Sequence, residues 1–339
     1  MLDIKPPSLA RSTGTPKTDW RDQMRTAFRS PEALLRHLGL AQEAGHGLAK
    51  PPFPMVVPLA FAERMRHADP DDPLLRQVLP HVDEQQTAAG FSSDPVGDLP
   101  SRQAPGILHK YQGRVLLIAT GACAVHCRYC FRQNFPYATE HVGGHRWAEA
   151  LAYLRAHTEA EELILSGGDP LMLPTLQLAK LTRALGQIPH IRRLRIHTRL
   201  PIVLPDRITE NLLDWLSDLP WPVVIVIHAN HPAEFDPAVD TALRRLRDAN
   251  VILLNQAVLL AGVNDDAATL AALMVRGLDS GTLPYYLHLL DRVAGASRFE
   301  VDQARALALM ENLRRRLPGY LVPRLVREQA GLPYKLPVL

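Results

Sequence analysis

From Arg114 onward the chain alternates between two rhythms. Short apolar, β-branched runs fall at Val115–Ala119, Leu163–Leu165, Leu194–Ile196, Val223–Ile227, Val251–Val258 and Tyr285–Leu290. Between them, apolar residues recur at helical period in Trp147–His157, Leu176–Leu185, Leu212–Leu219, Val239–Ala249 and Leu270–Leu278. Continuous apolar strands separated by amphipathic helices predict a parallel sheet covered by helices. Six such units predict an α/β fold, a partial (β/α)6 barrel. The first hundred residues read as helical with breaks. Ser30-Pro31 makes a helix start, a capping residue followed by proline in the first turn. Phe91 to Gly106 is rich in Ser, Asp, Pro and Gly and reads as a connecting loop. The expected organisation is a tail, helical region and linker over 1–106, the barrel over 107–317, and a C-terminal segment over 318–339.

Polar groups recur just past the apolar runs: Ser166-Gly-Gly-Asp169, His197-Thr-Arg199, His228, Asn230, Asn255, Gln256 and Asp291. In parallel barrels the loops at the C-terminal ends of strands carry the chemistry. All three cysteines of the chain, Cys123, Cys127 and Cys130, follow the first run. Three readings of them stand open. At i, i+4 and i+7 they could form a buried helical stripe. With His126, His141 or His145 they could bind zinc. As thiolates they could hold an iron–sulfur cluster, normally bound by four cysteines, with one iron left open for chemistry.

Composition narrows the setting. Hydrophobic residues make up 47% and charged residues 22%, the balance of a folded chain with a sizeable core. The net charge of +3, from 38 basic and 35 acidic side chains, is too small to argue for direct nucleic-acid binding. No apolar stretch approaches the roughly 20 residues of a membrane helix, and the first residues lack the apolar run of a signal peptide. Free thiols without an export signal predict a cytoplasmic protein.

The spacing Cys-x3-Cys-x2-Cys, with Tyr129 before the last cysteine, resembles the radical S-adenosylmethionine superfamily, and Ser166-Gly167-Gly168-Asp169 resembles its segment contacting the methionyl amino group. The likeness narrows with His109-Lys-Tyr-Gln-Gly-Arg114, Cys127-Arg-Tyr-Cys-Phe-Arg132, Thr198-Arg199, His228 to His231, Asn255-Gln256 and Pro284-Tyr-Tyr286 with Asp291. Together these are similar to lysine 2,3-aminomutases, from about Asp69-Pro70 to the C-terminus. The resemblance implies a barrel of radical S-adenosylmethionine type holding a [4Fe-4S] cluster on Cys123, Cys127 and Cys130. It also implies S-adenosylmethionine contacts at Ser166, Gly167, Gly168 and Asp169, and cofactor contacts at His228 and Gln256.

Those enzymes use pyridoxal 5′-phosphate, which needs a lysine for its Schiff base. Lys335, in Gly331-Leu-Pro-Tyr-Lys335, matches the family's cofactor lysine; Arg114, Tyr111 and Lys110 match positions around the cofactor phosphate. The implied reaction is isomerisation of L-lysine to β-lysine through an external aldimine and a 5′-deoxyadenosyl radical. Arg132 matches the arginine that pairs with the substrate carboxylate, and Asp291 an acid that binds the side-chain ammonium. Glu328 is the nearest candidate for a second acid. An electron donor such as flavodoxin or ferredoxin is implied.

Two departures matter. His288 stands where the family has a tyrosine near the cofactor, and cysteines for the fermentative enzymes' structural zinc are missing. The chain thus looks more like the branch that makes (R)-β-lysine for modification of translation elongation factor P. A glutamate or other amino acid 2,3-aminomutase would share the cluster and cofactor features. A non-catalytic electron-transfer or sensing protein would explain the cysteines but not Lys335.

Overall fold

The structure is a computed structural model that describes residues 19–41, 53–140 and 147–339. Ten strands form one sheet in sequence order. They are β1 (Arg102–Ala104), β2 (Ile107–Tyr111), β3 (Arg114–Thr120), β4 (Glu162–Gly167), β5 (Arg193–Thr198), β6 (Val223–Ile227), β7 (Ile252–Val258), β8 (Leu283–His288), β9 (Arg324–Arg327) and β10 (Leu336–Pro337). Strands β3 to β8 are mutually parallel. They are the six apolar runs. β4 and β6 are buried on nearly every residue, while β5 and β7 alternate between buried and half-buried positions.

The five expected helices are present as Trp147–Ala156, Thr175–Leu185, Glu210–Ser217, Pro237–Asp248 and Ala267–Asp279, and a further one spans Gln303–Arg316. Side-chain caps start several of them: Thr209 accepts from Leu212 N, Asp236 from Val239 N and Asp266 from Ala268 N. In the N-terminal region, Ser30 caps the Pro31–His37 helix in the same way, accepting from Ala33 N.

The sheet is flanked by strands outside the six runs. β2 adds antiparallel to β3 and β1 antiparallel to β2, β9 runs parallel to β8, and β10 closes antiparallel on β9. Sequential parallel strands with right-handed crossovers place their helices on one face and curl the sheet. The curl is visible in a contact: Lys110 of β2 meets Glu328, just past β9, at 3.0 Å. The fold is a partial (β/α)6 barrel with extra strands at both edges. No described helix is long and apolar enough to cross a membrane.

Candidate active site

The cysteines lie in an irregular loop after β3 rather than on a helix, so the helical-stripe reading fails. Backbone bonds pin that loop to the N-terminal region: His126 N to Val56 O at 3.0 Å and Arg128 N to Gln77 O at 2.8 Å. The buried Arg128 guanidinium pairs with Glu84 and donates to Phe53 O and Pro54 O. Arg199 reaches Cys127 Sγ at 2.7 Å and is itself held by Glu234 and Gln77. Burial, and after it the charge of the neighbouring thiols, raises the Cys130 thiol to about 12 and lifts Cys123 well above its usual value. Such thiols stay protonated until a metal takes the proton's place.

Zinc fares poorly. Tetrahedral Zn–S bonds of about 2.3 Å demand ligand atoms within about 4 Å of one another. Among the described residues no group of three or more His, Cys, Asp or Glu side chains is placed to hold a metal ion that way. His126 bonds Pro54 O at 2.8 Å and stacks on Phe53, while His141 and His145 lie outside the described residues.

The end of β4 is laced to the cysteine loop. Gly168 N bonds Thr120 O at 2.7 Å, and Asp169 N bonds Ala122 O at 2.8 Å. A Cβ on Gly167, whose φ is +124°, would lie 2.5 Å from Thr120 O; one on Gly168 would lie 2.4 Å from Ala122 O. Two glycines are therefore needed so that this strand end can touch the cysteine loop itself. The Asp169 carboxylate is occupied by Thr198 Oγ1, Arg199 N, Leu200 N and Leu171 N. Any ligand contact at that residue falls to its backbone.

The opposite wall is built from charge. Glu328 pairs with Lys335 and, at 3.0 Å, with Lys110. Lys110 lies 2.6 Å from Asp98, Asp98 lies 2.6 Å from Arg132 Nε, and Arg132 donates to Ser166 Oγ at 3.2 Å. Although burial opposes ionisation, the two lysines hold the Glu328 carboxyl far below its usual range. Asp291 goes the other way: burial, then the Glu328 charge, raises it to about 7. On the β2–β3 hairpin, Tyr111 pairs in register with Arg114, whose guanidinium lies 4.4 Å from the phenol ring centre.

The residues matched to the cluster, cofactor and substrate sites all line one cavity with Cys123, Cys127, Cys130 and Lys335, whereas Asn255 and His126 do not. Asp98 and Arg195 also line it and escaped the sequence reading. Asp98 sits inside the stretch read as a linker, and Arg195 alternates with apolar residues in β5. Several buried polar atoms in this cavity, among them His228 Nε2, Gln256 Oε1 and His288 Nε2, find no hydrogen-bond partner among the described residues. Burial keeps His228 neutral, with its pKa lowered to about 4. Orphaned buried polar atoms in a cavity point to a ligand that satisfies them.

L-lysine 2,3-aminomutase of Escherichia coli (strain K12) is 47% identical to this chain over 326 residues, 95% of each chain. The enzyme of the same name from Haemophilus influenzae is 44% identical over 319 residues, 94% of each. That of Clostridium subterminale is 33% identical over 324 residues, 95% of this chain and 78% of that one. The chain belongs to the L-lysine 2,3-aminomutase family. No family model matches it.

As a member of this family it is an enzyme, an isomerase, whose cofactors are a [4Fe-4S] cluster, S-adenosylmethionine and pyridoxal phosphate. The residues present fit all three. Three thiols in one loop suit a cluster with one open iron, and the Arg199 cation stands ready against the charge of the Cys127 thiolate. His228 Nε2 and Gln256 Oε1 offer unpartnered polar atoms in the same cavity as Ser166, Gly167 and Gly168. Lys335 supplies an amine in the cavity, and the Arg114 guanidinium on the same wall suits a phosphate.

Proposed function

We propose that the protein isomerises L-lysine to β-lysine, in the (R) form, and that the product serves the modification of translation elongation factor P. The observation that carries the substrate assignment is the placement of Arg132 and the acids Glu328 and Asp291 in one cavity with the cysteines and Lys335. An α-amino acid with a cationic side chain needs that pattern, a cation for its carboxylate and acids for its ammonium. A glutamate side chain would meet two acids and be repelled.

Bound in this cavity, the cluster and S-adenosylmethionine supply radical hydrogen abstraction, and pyridoxal phosphate supplies a carbonyl that captures the substrate amine. The chain's own groups position and shield. Cys123, Cys127 and Cys130 hold the cluster; the strand end at Ser166, Gly167, Gly168 and Asp169, with His228 and Gln256, holds S-adenosylmethionine. Lys335 holds pyridoxal phosphate through its amine, with Arg114 and Tyr111 on the side of its phosphate, while the Lys110 ammonium is turned to Val96 O, Asp98 and Glu328 instead. Arg132 orients the substrate carboxylate, and Glu328 with Asp291 receives the side-chain ammonium, so that one hydrogen is presented to the radical source. Electrons come from a donor such as flavodoxin or ferredoxin.

The (R)-forming branch is supported by the lack of any cysteine outside residues 123–130, which leaves no thiols for the zinc site of the fermentative enzymes. The reading is tested by anaerobic reconstitution with iron, sulfide, pyridoxal phosphate, S-adenosylmethionine and lysine. β-Lysine should form and should vanish in Cys130→Ala and Lys335→Ala. Full activity in Lys335→Ala sinks the pyridoxal half. Exclusive (S)-β-lysine on chiral analysis overturns the branch assignment.

A further inference from the structure

Four side chains connect the two ends of the substrate site. Arg132 is held through Nε by Asp98, Asp98 by Lys110, and Lys110 by Glu328. Asp98 is 1% exposed, and its place is itself fixed. Asp94 accepts from Asp98 N at 2.8 Å and from Leu99 N at 3.0 Å, closing the turn. Gly97, with φ +66°, presses against the 330 loop, where a Cβ would come within 2.8 Å of Ala330 Cβ. Lys110 donates to Val96 O of the same turn at 2.8 Å. The Lys110 ammonium donates to Val96 O and Glu328 and is ion-paired with Asp98 at 2.6 Å, so it is held inside the protein.

We propose that Asp98 and Lys110 are positioning residues that fix the separation between Arg132 and Glu328, and so make the site measure the length of its amino-acid substrate. Asp98 takes the Nε edge of Arg132 and Ser166 one Nη1 hydrogen, which leaves the remaining outer N–H groups of the fork for a carboxylate. Lys110 takes Glu328 Oε1 and leaves Oε2 to the ammonium of Lys335. That second oxygen is free for a substrate ammonium once the Lys335 amine is engaged elsewhere. The two substrate-facing groups are therefore linked by a rigid pair of buried charges, not by flexible backbone alone. The inference rests on the reading of Arg132 and Glu328 as substrate contacts.

The test uses the reconstituted holoenzyme with Asp98→Asn, Lys110→Met, Arg132→Met and Glu328→Gln. Lysine and the one-carbon-shorter ornithine are titrated against the absorbance of bound pyridoxal phosphate, per molecule of cofactor bound. Asp98→Asn and Lys110→Met should weaken lysine about 10- to 100-fold. They should also shrink the preference for lysine over ornithine, raising KM more than they lower kcat, while Lys110→Met keeps its pyridoxal phosphate. Unchanged lysine affinity and unchanged lysine-to-ornithine preference overturn the proposal. So does a Lys110→Met enzyme that loses pyridoxal phosphate but binds lysine normally wherever the cofactor remains, since Lys110 would then be a phosphate contact. If Asp98→Asn does not fold, Lys110→Met carries the same readout. Normal lysine affinity in both Arg132→Met and Glu328→Gln would overturn the substrate assignment, and the measuring role with it.

Discussion

The two walls of the cavity are held by different physics. On the cysteine side, position comes from shape: Gly167 and Gly168 abut the carbonyls of Thr120 and Ala122, and backbone bonds stitch β4 to the loop. On the lysine side it comes from charge, in the run Lys335, Glu328, Lys110, Asp98, Arg132. A backbone contact has no substitute, whereas one cation can replace another on a carboxylate. The first wall suits a group that stays, and the second suits partners that come and go.

The contrast can be broken most directly at Gly168. An added methyl meets backbone, not a side chain that could move aside. Gly168→Ala should cost about 1–3 kcal/mol of stability and most of the bound iron. A normal melting temperature with full iron content would show that shape does not govern this wall. Glu328→Gln should do the reverse, keeping iron while weakening lysine by about 2 kcal/mol or more, read by titration.

Next in size is a pH effect. A carboxyl raised to about 7 is neutral below that pH and charged above it. The substrate ammonium, with a pKa of about 10.4, stays charged throughout. Lysine affinity should therefore rise with pH from 6 to 8, by at most about tenfold per unit below 7, and Asp291→Asn should flatten the profile. The smallest effect sharpens the role of burial. Glu311 and Arg315 pair at 3.1 Å on an exposed helix face, and Glu311→Ala should shift stability by less than about 0.5 kcal/mol.

What was legible in the sequence follows the same division. β4 and β6 announce themselves because strands buried on both faces are continuously apolar, and β3, β5, β7 and β8 because each keeps an apolar core face. The edge strands do not: β2 reads Ile-Leu-His-Lys-Tyr and β9 reads Arg-Leu-Val-Arg, each with polar side chains needed at the site or facing solvent. The cysteines and the glycine pair carry distinctive spacing. Asp98 carries none, because an aspartate among Ser, Pro and Gly looks like any turn residue until Lys110 and Arg132 are seen beside it. The glycine pair was legible in position but not in purpose, since what approaches it is the cysteine loop.

The contact between Lys110 and Glu328 joins residues 218 apart in the chain. Closing so long a loop is slow and is rewarded only once the intervening strands have paired in order. Lys335 meets Glu328 locally, across the β9–β10 pair, but the two reach Lys110 only once the sheet has curled from β2 round to β9. Capture of the aldehyde cofactor thus reports a finished fold, and a half-folded chain has no wall on which radical chemistry could begin.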